Sequence, residues 1–240
     1  MTEPPAAGRA RARSEHTRSA ILETALRLFA ERGYDKTTMR AIAAEAGVSV
    51  GNAYYYFDSK DHLIQGFYSR MTTEHVALTR ERIAGETDLA ARVGIALECW
   101  LEVAEPYHRF AGQFFRNAAD PSSPLSPFSH ESAPARLEDT ALYREVLAGT
   151  SLRIAPEIAD ILPEMLWLHQ MALVLYWVYD RTPGQRRTRE LAKRTAPMVA
   201  RIVTLSRYKV LRPLVRQAEA LVRDFLIIDE GGNPAPPDPA

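Results

Sequence analysis

Residues 37–60 read TTMRAIAAEAGVSVGNAYYYFDSK, and this stretch decides the fold. Thr38 carries a side-chain oxygen that can cap a helix beginning one residue later. Ile42, Ala43 and Ala46 then share one face of that helix, and the two alanines are small enough for a second helix to cross closely. Gly47 suits the left-handed backbone that ends a helix. Val48 is expected to pack inward and Ser49 to cap the next helix, in which Ala53 and Phe57, four apart, face the core. Two short helices at a steep angle, joined by a glycine turn, form the helix-turn-helix pattern.

The outer face of the second helix carries the functional signal. Gly51 and Tyr55 lie opposite the buried pair, flanked by Asn52, Tyr54 and Tyr56. A helix-interior glycine costs roughly 1 kcal/mol relative to alanine. An exposed helix has reason to accept that cost where something approaches its backbone closely, and a DNA strand would do so. Tyrosine hydroxyls and an asparagine amide can bond phosphates or base edges. The bland alternative is a three-helix packing module with tyrosines in an interface.

Working outward, Ile21, Ala25, Leu28 and Phe29 follow helical spacing and Gly33 closes that helix. A long helix is predicted from Ser59 to about Ile83. Further helices follow at roughly 87–105, 106–118, 134–149, 157–181, 185–206 and 209–228, with Pro163 expected to break or kink the 157–181 stretch. No alternating strand is evident. Residues 120–134, DPSSPLSPFSHESAP, form a long Pro/Ser loop, read as a plain surface loop in preference to a lid.

Across 240 residues, thirty basic side chains balance thirty acidic ones, so net charge alone does not announce a polyanionic partner. Distribution says more. Arg9, Arg11, Arg13 and Arg18 face a single acid, Glu15, between Arg9 and Arg18. The single cysteine, Cys99, allows no intrachain disulfide and fits a reducing cytoplasm. The N-terminus lacks the apolar core of a signal peptide. Ile161 to Tyr179 is the most apolar run, but Pro163, Glu164, His169 and Gln170 make it a poor membrane span. The predicted fold class is therefore all-α: a disordered basic arm over 1–16, a three-helix DNA-binding module over 17–62, a helical effector-binding and dimerisation domain over 63–228, and a disordered tail over 229–240. The arm is expected to add DNA affinity along phosphates or in the minor groove.

GVSVGNAYYYFDSKDHLI resembles the signature of the TetR family of bacterial transcriptional regulators, in which Gly-Val-Ser-x-Gly-x-x-Tyr-x-x-Phe-x-x-Lys-x-x-Leu recurs. The preceding TRSAILETALRLFAERGYDKTTMRAIAAEAG is similar to the family's first two helices. The resemblance covers about residues 18–64; beyond them only length and helical character agree. It implies that Thr38 and Arg40 meet the DNA backbone, with Arg40 able to reach a base. Val50, Gly51 and Asn52 would enter the major groove. Tyr54, Tyr55 and Tyr56 would contact phosphates and bases, and Lys60 would anchor a phosphate. Ala53 is smaller than the usual Leu or Phe, and Tyr56 replaces the more usual His. The family resemblance further implies a homodimer formed through two late helices, 157–181 and 185–206 here, on a double-stranded DNA operator.

The later residues point to a candidate effector site. Trp100, Tyr107, Phe110, Phe114, Trp167 and Tyr176 supply aromatic surface, and Gln170 is a polar group in an apolar stretch that needs a partner. Such a set is more often plain core than a ligand cage. Where it does line a pocket, an apolar or aromatic small molecule is the expected ligand. The overall expectation is a repressor released from a palindromic operator by that ligand. The alternative is a DNA-binding regulator without a small-molecule effector. An enzyme is disfavoured: Glu164 and His169, or Glu74 and His75, lack the Glu-x-x-His spacing of a di-iron site. No zinc ligand set, glycine-rich phosphate loop or Gly-x-Ser-x-Gly is found, and no cofactor is expected.

Overall fold

The computed structural model describes residues 6–120 and 123–208, and beyond them 213, 216, 217, 220 and 221. Of the expected elements, most of the 209–228 helix and the 229–240 tail lie outside the described residues. The described residues are helical, without strands, and divide into two compact units, Met1–Tyr68 and Ser69–Ala240.

The first unit contains α1 (Ala6–Arg32), α2 (Met39–Glu45), α3 (Val50–Tyr56) and the start of α4 (Lys60–Arg82). Its core is Ile21, Leu22, Ala25, Leu28 and Phe29 from α1, Ile42 and Ala43 from α2, and Ala53 and Phe57 around α3. Both expected caps are present: Thr38 accepts from the Ala41 amide at 3.2 Å and Ser49 from the Asn52 amide at 3.0 Å. Gly47 takes φ +70°, the left-handed turn that sends the chain from α2 into α3. Two expectations need correction. Residues 6–16, expected as a disordered arm, continue α1. Past the early prolines this stretch holds alanine and arginine, both strong helix formers, and Arg11 pairs with Glu15 one turn on at 3.3 Å. The unit also ends at Tyr68, not at 62, because Leu63, Ile64 and Phe67 of α4 are buried and complete its core.

The second unit contains the rest of α4, then α5 (Leu89–Ala104), a 3₁₀ turn (Glu105–Tyr107), α6 (His108–Ala118), α7 (Ala133–Ala148), the short α8 (Pro156–Ala159), α9 (Leu162–Tyr179), a second 3₁₀ turn (Pro183–Gln185) and α10 (Arg186–Leu205). The expected 157–181 helix is two pieces. Pro163 does not kink α9 but sits in its first turn, where a missing N–H costs nothing. α9 is central: α7, α6 and α10 all pack on it, and α10 also packs on α5.

Long-range polar ties fix this packing. The buried Arg92 guanidinium donates to four carbonyls, those of Ile83, Glu86, Glu145 and Val146, at 2.6–3.0 Å. Gly149 makes room for it, since a Cβ there would stand 2.2 Å from Arg92 Nη2. His75 on α4 reaches Asp139 on α7 through Nδ1 (3.1 Å) and donates Nε2–H to the Ala96 carbonyl on α5 (2.9 Å). Asp180 ends α9 and accepts from the amides and hydroxyls of Thr182 and Thr188, locking the α9–α10 turn. Burial alone would raise the Asp180 pKa. The four hydrogen bonds outweigh it and hold the carboxyl well below its ordinary value.

Candidate functional site

In the first unit, α3 presents a polar outer face. Tyr55 is 79% exposed and Tyr54 47%, with Gly51, Asn52 and Val50 also exposed. A Cβ on Gly51 would meet nothing within 4 Å, so no packing inside the unit calls for a glycine there. Thr38 and Arg40 are exposed at the start of α2. Seven of the nine expected DNA-contacting residues thus form one solvent-facing surface around α2 and α3.

Tyr56 and Lys60 differ. Tyr56 is half-buried, and its hydroxyl shares a hydrogen bond with Ser14 Oγ on α1 at 3.1 Å. Lys60 is also half-buried: its Nζ donates to the Tyr34 carbonyl at 2.8 Å and lies 4.1 Å from the centre of the Tyr34 ring. The Tyr34 hydroxyl in turn bonds Asp61, and burial together with that carboxylate pushes its pKa above the ordinary value. Both expected DNA contacts therefore already have protein partners, Tyr56 with α1 and Lys60 with the α1–α2 connection. Nothing in local spacing announces either tie, because the partners are 42 and 26 residues away. Along α1, Arg11 and Arg13 are exposed, and the Arg9 side chain lies outside the described residues.

In the second unit the expected effector residues separate. Trp100 packs edge-on against Trp177, ring centres 5.3 Å apart, and His108 stacks on the same indole at 4.8 Å. Tyr107 accepts from Arg70 at 2.8 Å. Trp167 is buried against Phe128, which the Pro/Ser loop delivers at 5.5 Å. Gln170 is fully buried, and its Oε1 accepts from the Tyr143 hydroxyl at 2.7 Å. Tyr176 does not join this interior; it is 42% exposed on α9. The side chains of Phe110 and Phe114 lie outside the described residues. An open groove of about 630 Å³ between α5 and α10 is lined by Gly94, Ile95, Glu98, Arg189 and Lys193 among others, and by none of the expected effector residues.

The outer apolar surface is the remaining feature. Met165, Leu175, Tyr176 and Tyr179 are exposed on α9, and Met198, Ile202 and Leu205 on α10. The last three follow i, i+4, i+7 spacing, one continuous stripe. His169, between these helices, donates Nε2–H to Thr195 Oγ1 at 2.9 Å, because the Thr195 hydrogen is already given to the Leu191 carbonyl.

An exposed recognition helix in one compact unit, followed by a helical unit with an uncovered apolar face, defines a helix-turn-helix regulator. Residues 21–66 match the family described as "Bacterial regulatory proteins, tetR family", and residues 92–221 match "Tetracyclin repressor-like, C-terminal domain". The chain belongs to the TetR family of transcriptional regulators. It is 32% identical over 111 residues to the HTH-type transcriptional repressor KstR2 of Rhodococcus jostii, a match covering 45% of this chain and 52% of that protein. The match thus spans about half the length of this curated relative. The fold resembles a TetR regulator of Nitrosomonas europaea (TM-score 0.60, 20% identity, 76% of this chain and 97% of that one). It also resembles the FadR repressor of Thermus thermophilus solved in complex with lauroyl-CoA (TM-score 0.56, 20% identity, 75% and 93%). The family's members are DNA-binding regulators, not enzymes, and among the described residues no helix is long and apolar enough to cross a membrane.

Proposed function

We propose that the chain is a repressor that binds a palindromic operator as a homodimer and leaves it when a small apolar molecule occupies the second unit. The first unit is the DNA-binding domain, and the second binds the effector and forms the dimer. The observation that carries this reading is the outer face of α3, where Gly51 and Tyr55 stand open to solvent on a well-capped helix. Thr38, Arg40, Val50, Asn52 and Tyr54 extend that face toward phosphates and base edges. Lys60 keeps a supporting role, with the N-terminus of α4, in meeting phosphate, and Tyr56 acts by bracing α1 against α3.

The partner subunit docks on the exposed stripes of α9 and α10, which gives Tyr176 an interface role. Repression agrees with the named relative. An apolar ligand with an acyl portion agrees with the lauroyl-CoA complex of the Thermus protein. The cytoplasm, where DNA and a reduced Cys99 coexist, is the matching compartment. α4 runs unbroken from Lys60 to Arg82 and carries the ligand's effect, because residues of both units lie on one helix.

Solution mass and DNA release test the reading together. The wild type should be a dimer at micromolar concentration, and Ile202→Glu should be a monomer with at least tenfold weaker operator affinity. A monomeric wild type that binds the operator fully would overturn the dimer. A dimer whose operator affinity no apolar compound changes would favour a regulator without a small-molecule effector.

A further inference from the structure

α9 buries one continuous stripe, Leu166, Trp167, Gln170, Leu173 and Trp177, and two hydrogen-bond donors on it are orphaned. Gln170 is 0% exposed and Trp177 4%, and among the described residues neither Gln170 Nε2 nor Trp177 Nε1 has an acceptor. Buried polar groups are nearly always paired, and an unpaired donor is costly in a folded interior. Two on one stripe, two helical turns apart, are available to acceptors that a bound molecule would bring.

Resting on the effector reading above, we propose that the ligand is an uncharged apolar compound whose carbonyl oxygen accepts a hydrogen bond from Gln170 Nε2 or Trp177 Nε1. The sign of the hydrogen bond follows from the residues. The Tyr143 hydroxyl donates to Gln170 Oε1 at 2.7 Å and so turns the amide nitrogen toward its unpaired side. Burial raises the Tyr143 pKa well above its ordinary value, which keeps that hydroxyl protonated and donating. An indole N–H can only donate, so Trp177 asks for an acceptor whichever way the amide is turned.

The absence of charge follows from where the basic groups are spent. Among the described residues of this unit, the buried basic groups are Arg92 and His75. Arg92 is committed to four carbonyls, and His75 to Asp139 and the Ala96 carbonyl. Half-buried His108, packed on the Trp177 indole, is likewise committed, donating Nε2–H to the Trp177 carbonyl at 2.8 Å. A carboxylate entering here would therefore find no uncommitted basic group, and an ammonium would find two donors facing it. A ketone, ester or thioester meets both requirements.

The test compares chain-matched probes on the full-length protein by equilibrium dialysis, with operator affinity measured in parallel. The probes are 2-tridecanone, tridecane, dodecanoate and dodecylamine. The ketone should bind the wild type roughly 3–10-fold more tightly than the alkane, the value of one or two net hydrogen bonds. The two ions should bind more weakly than the ketone. Gln170→Met, which keeps the volume, and Trp177→Phe should each reduce the ketone's advantage and leave alkane binding in place. Equal binding of ketone and alkane would mean that water satisfies the donors, and would overturn the proposal; so would tighter binding of dodecanoate, or no binding by any probe. If the ketone binds through Gln170 while operator affinity stays constant, the ligand class stands and the release mechanism falls. If the alkane releases the operator as well as the ketone does, release stands and the ligand class falls.

Discussion

α3 and α9 are built on opposite plans. α3 has seven residues, one buried side chain and a polar face open to solvent. α9 has eighteen, carries apolar side chains on its outer as well as its inner face, and buries polar Gln170 while exposing Tyr176 and Tyr179. The contrast shows where specificity resides in each unit. Around α3 it comes from neighbours in sequence: the Thr38 and Ser49 caps, the Gly47 turn, and Ala53 with Phe57. Around α9 it comes from residues far along the chain, Tyr143 on Gln170, Thr195 on His169 and Phe128 on Trp167.

If the second unit depends on distant polar ties, breaking the largest should do most damage. Arg92→Met should cost about 3 kcal/mol, because four carbonyls lose their donor, two of them in buried hydrogen bonds. The melting temperature should fall by roughly 6–12 °C. A loss below about 1 kcal/mol by denaturant titration would show that the packing stands without the guanidinium.

The first unit should fail in function before it fails in stability. Tyr55→Ala removes an exposed side chain, so the melting temperature should hold, while operator binding weakens by roughly 1 kcal/mol or more per half-site and random DNA is spared. Lys60→Ala should behave differently. It removes the tie to Tyr34, so it should lower the first unit's stability and weaken all DNA about equally. Identical profiles for the two variants would erase the distinction between an open reading face and a braced support.

A smaller effect is expected at the α9–α10 turn. Asp180→Ala should cost about 1 kcal/mol at pH 7 through the lost bonds to Thr182 and Thr188. Because the folded carboxyl is held below its ordinary pKa, this contribution is present above about pH 4 and is lost as pH falls further. A difference between variant and wild type that persists unchanged to pH 2 would contradict the assignment.

The smallest concerns His169. Burial lowers its pKa, so the folded state favours the neutral ring that donates to Thr195. Stability should be complete above about pH 6.5 and should decline as pH drops below it, because the unfolded chain binds the proton more readily. His169→Gln should flatten that part of the pH profile; a profile identical to wild type would place the titration elsewhere.

These contrasts also explain what the sequence disclosed. The helix-turn-helix was legible because each signal lies within four residues of the feature it controls. The end of the first unit was misplaced, at 62 instead of 68, because α4 continues without a break and only the burial of Leu63, Ile64 and Phe67 marks the boundary. The helical course of residues 6–16 was obscured by the prolines before them. In the second unit, composition singles out Trp100, Trp167 and Gln170 as interior candidates, but it does not single out Tyr143, Asp180 and Arg92. Their roles exist only once helices far apart in sequence meet. Tyr176 looked like Trp177 in sequence, and one residue's rotation about α9 separates an exposed ring from a buried one.

The central claim is that two copies of this chain read DNA through α3. Selection from a random-sequence duplex library with the purified full-length protein, followed by footprinting of the winners, tests it most directly. The account predicts an inverted repeat whose half-site centres lie about one helical turn, roughly 34–36 Å, or a multiple of that apart, with protection weakened in both half-sites by Tyr55→Ala. Winners without dyad symmetry, or no enrichment over random duplex at physiological salt, would contradict it.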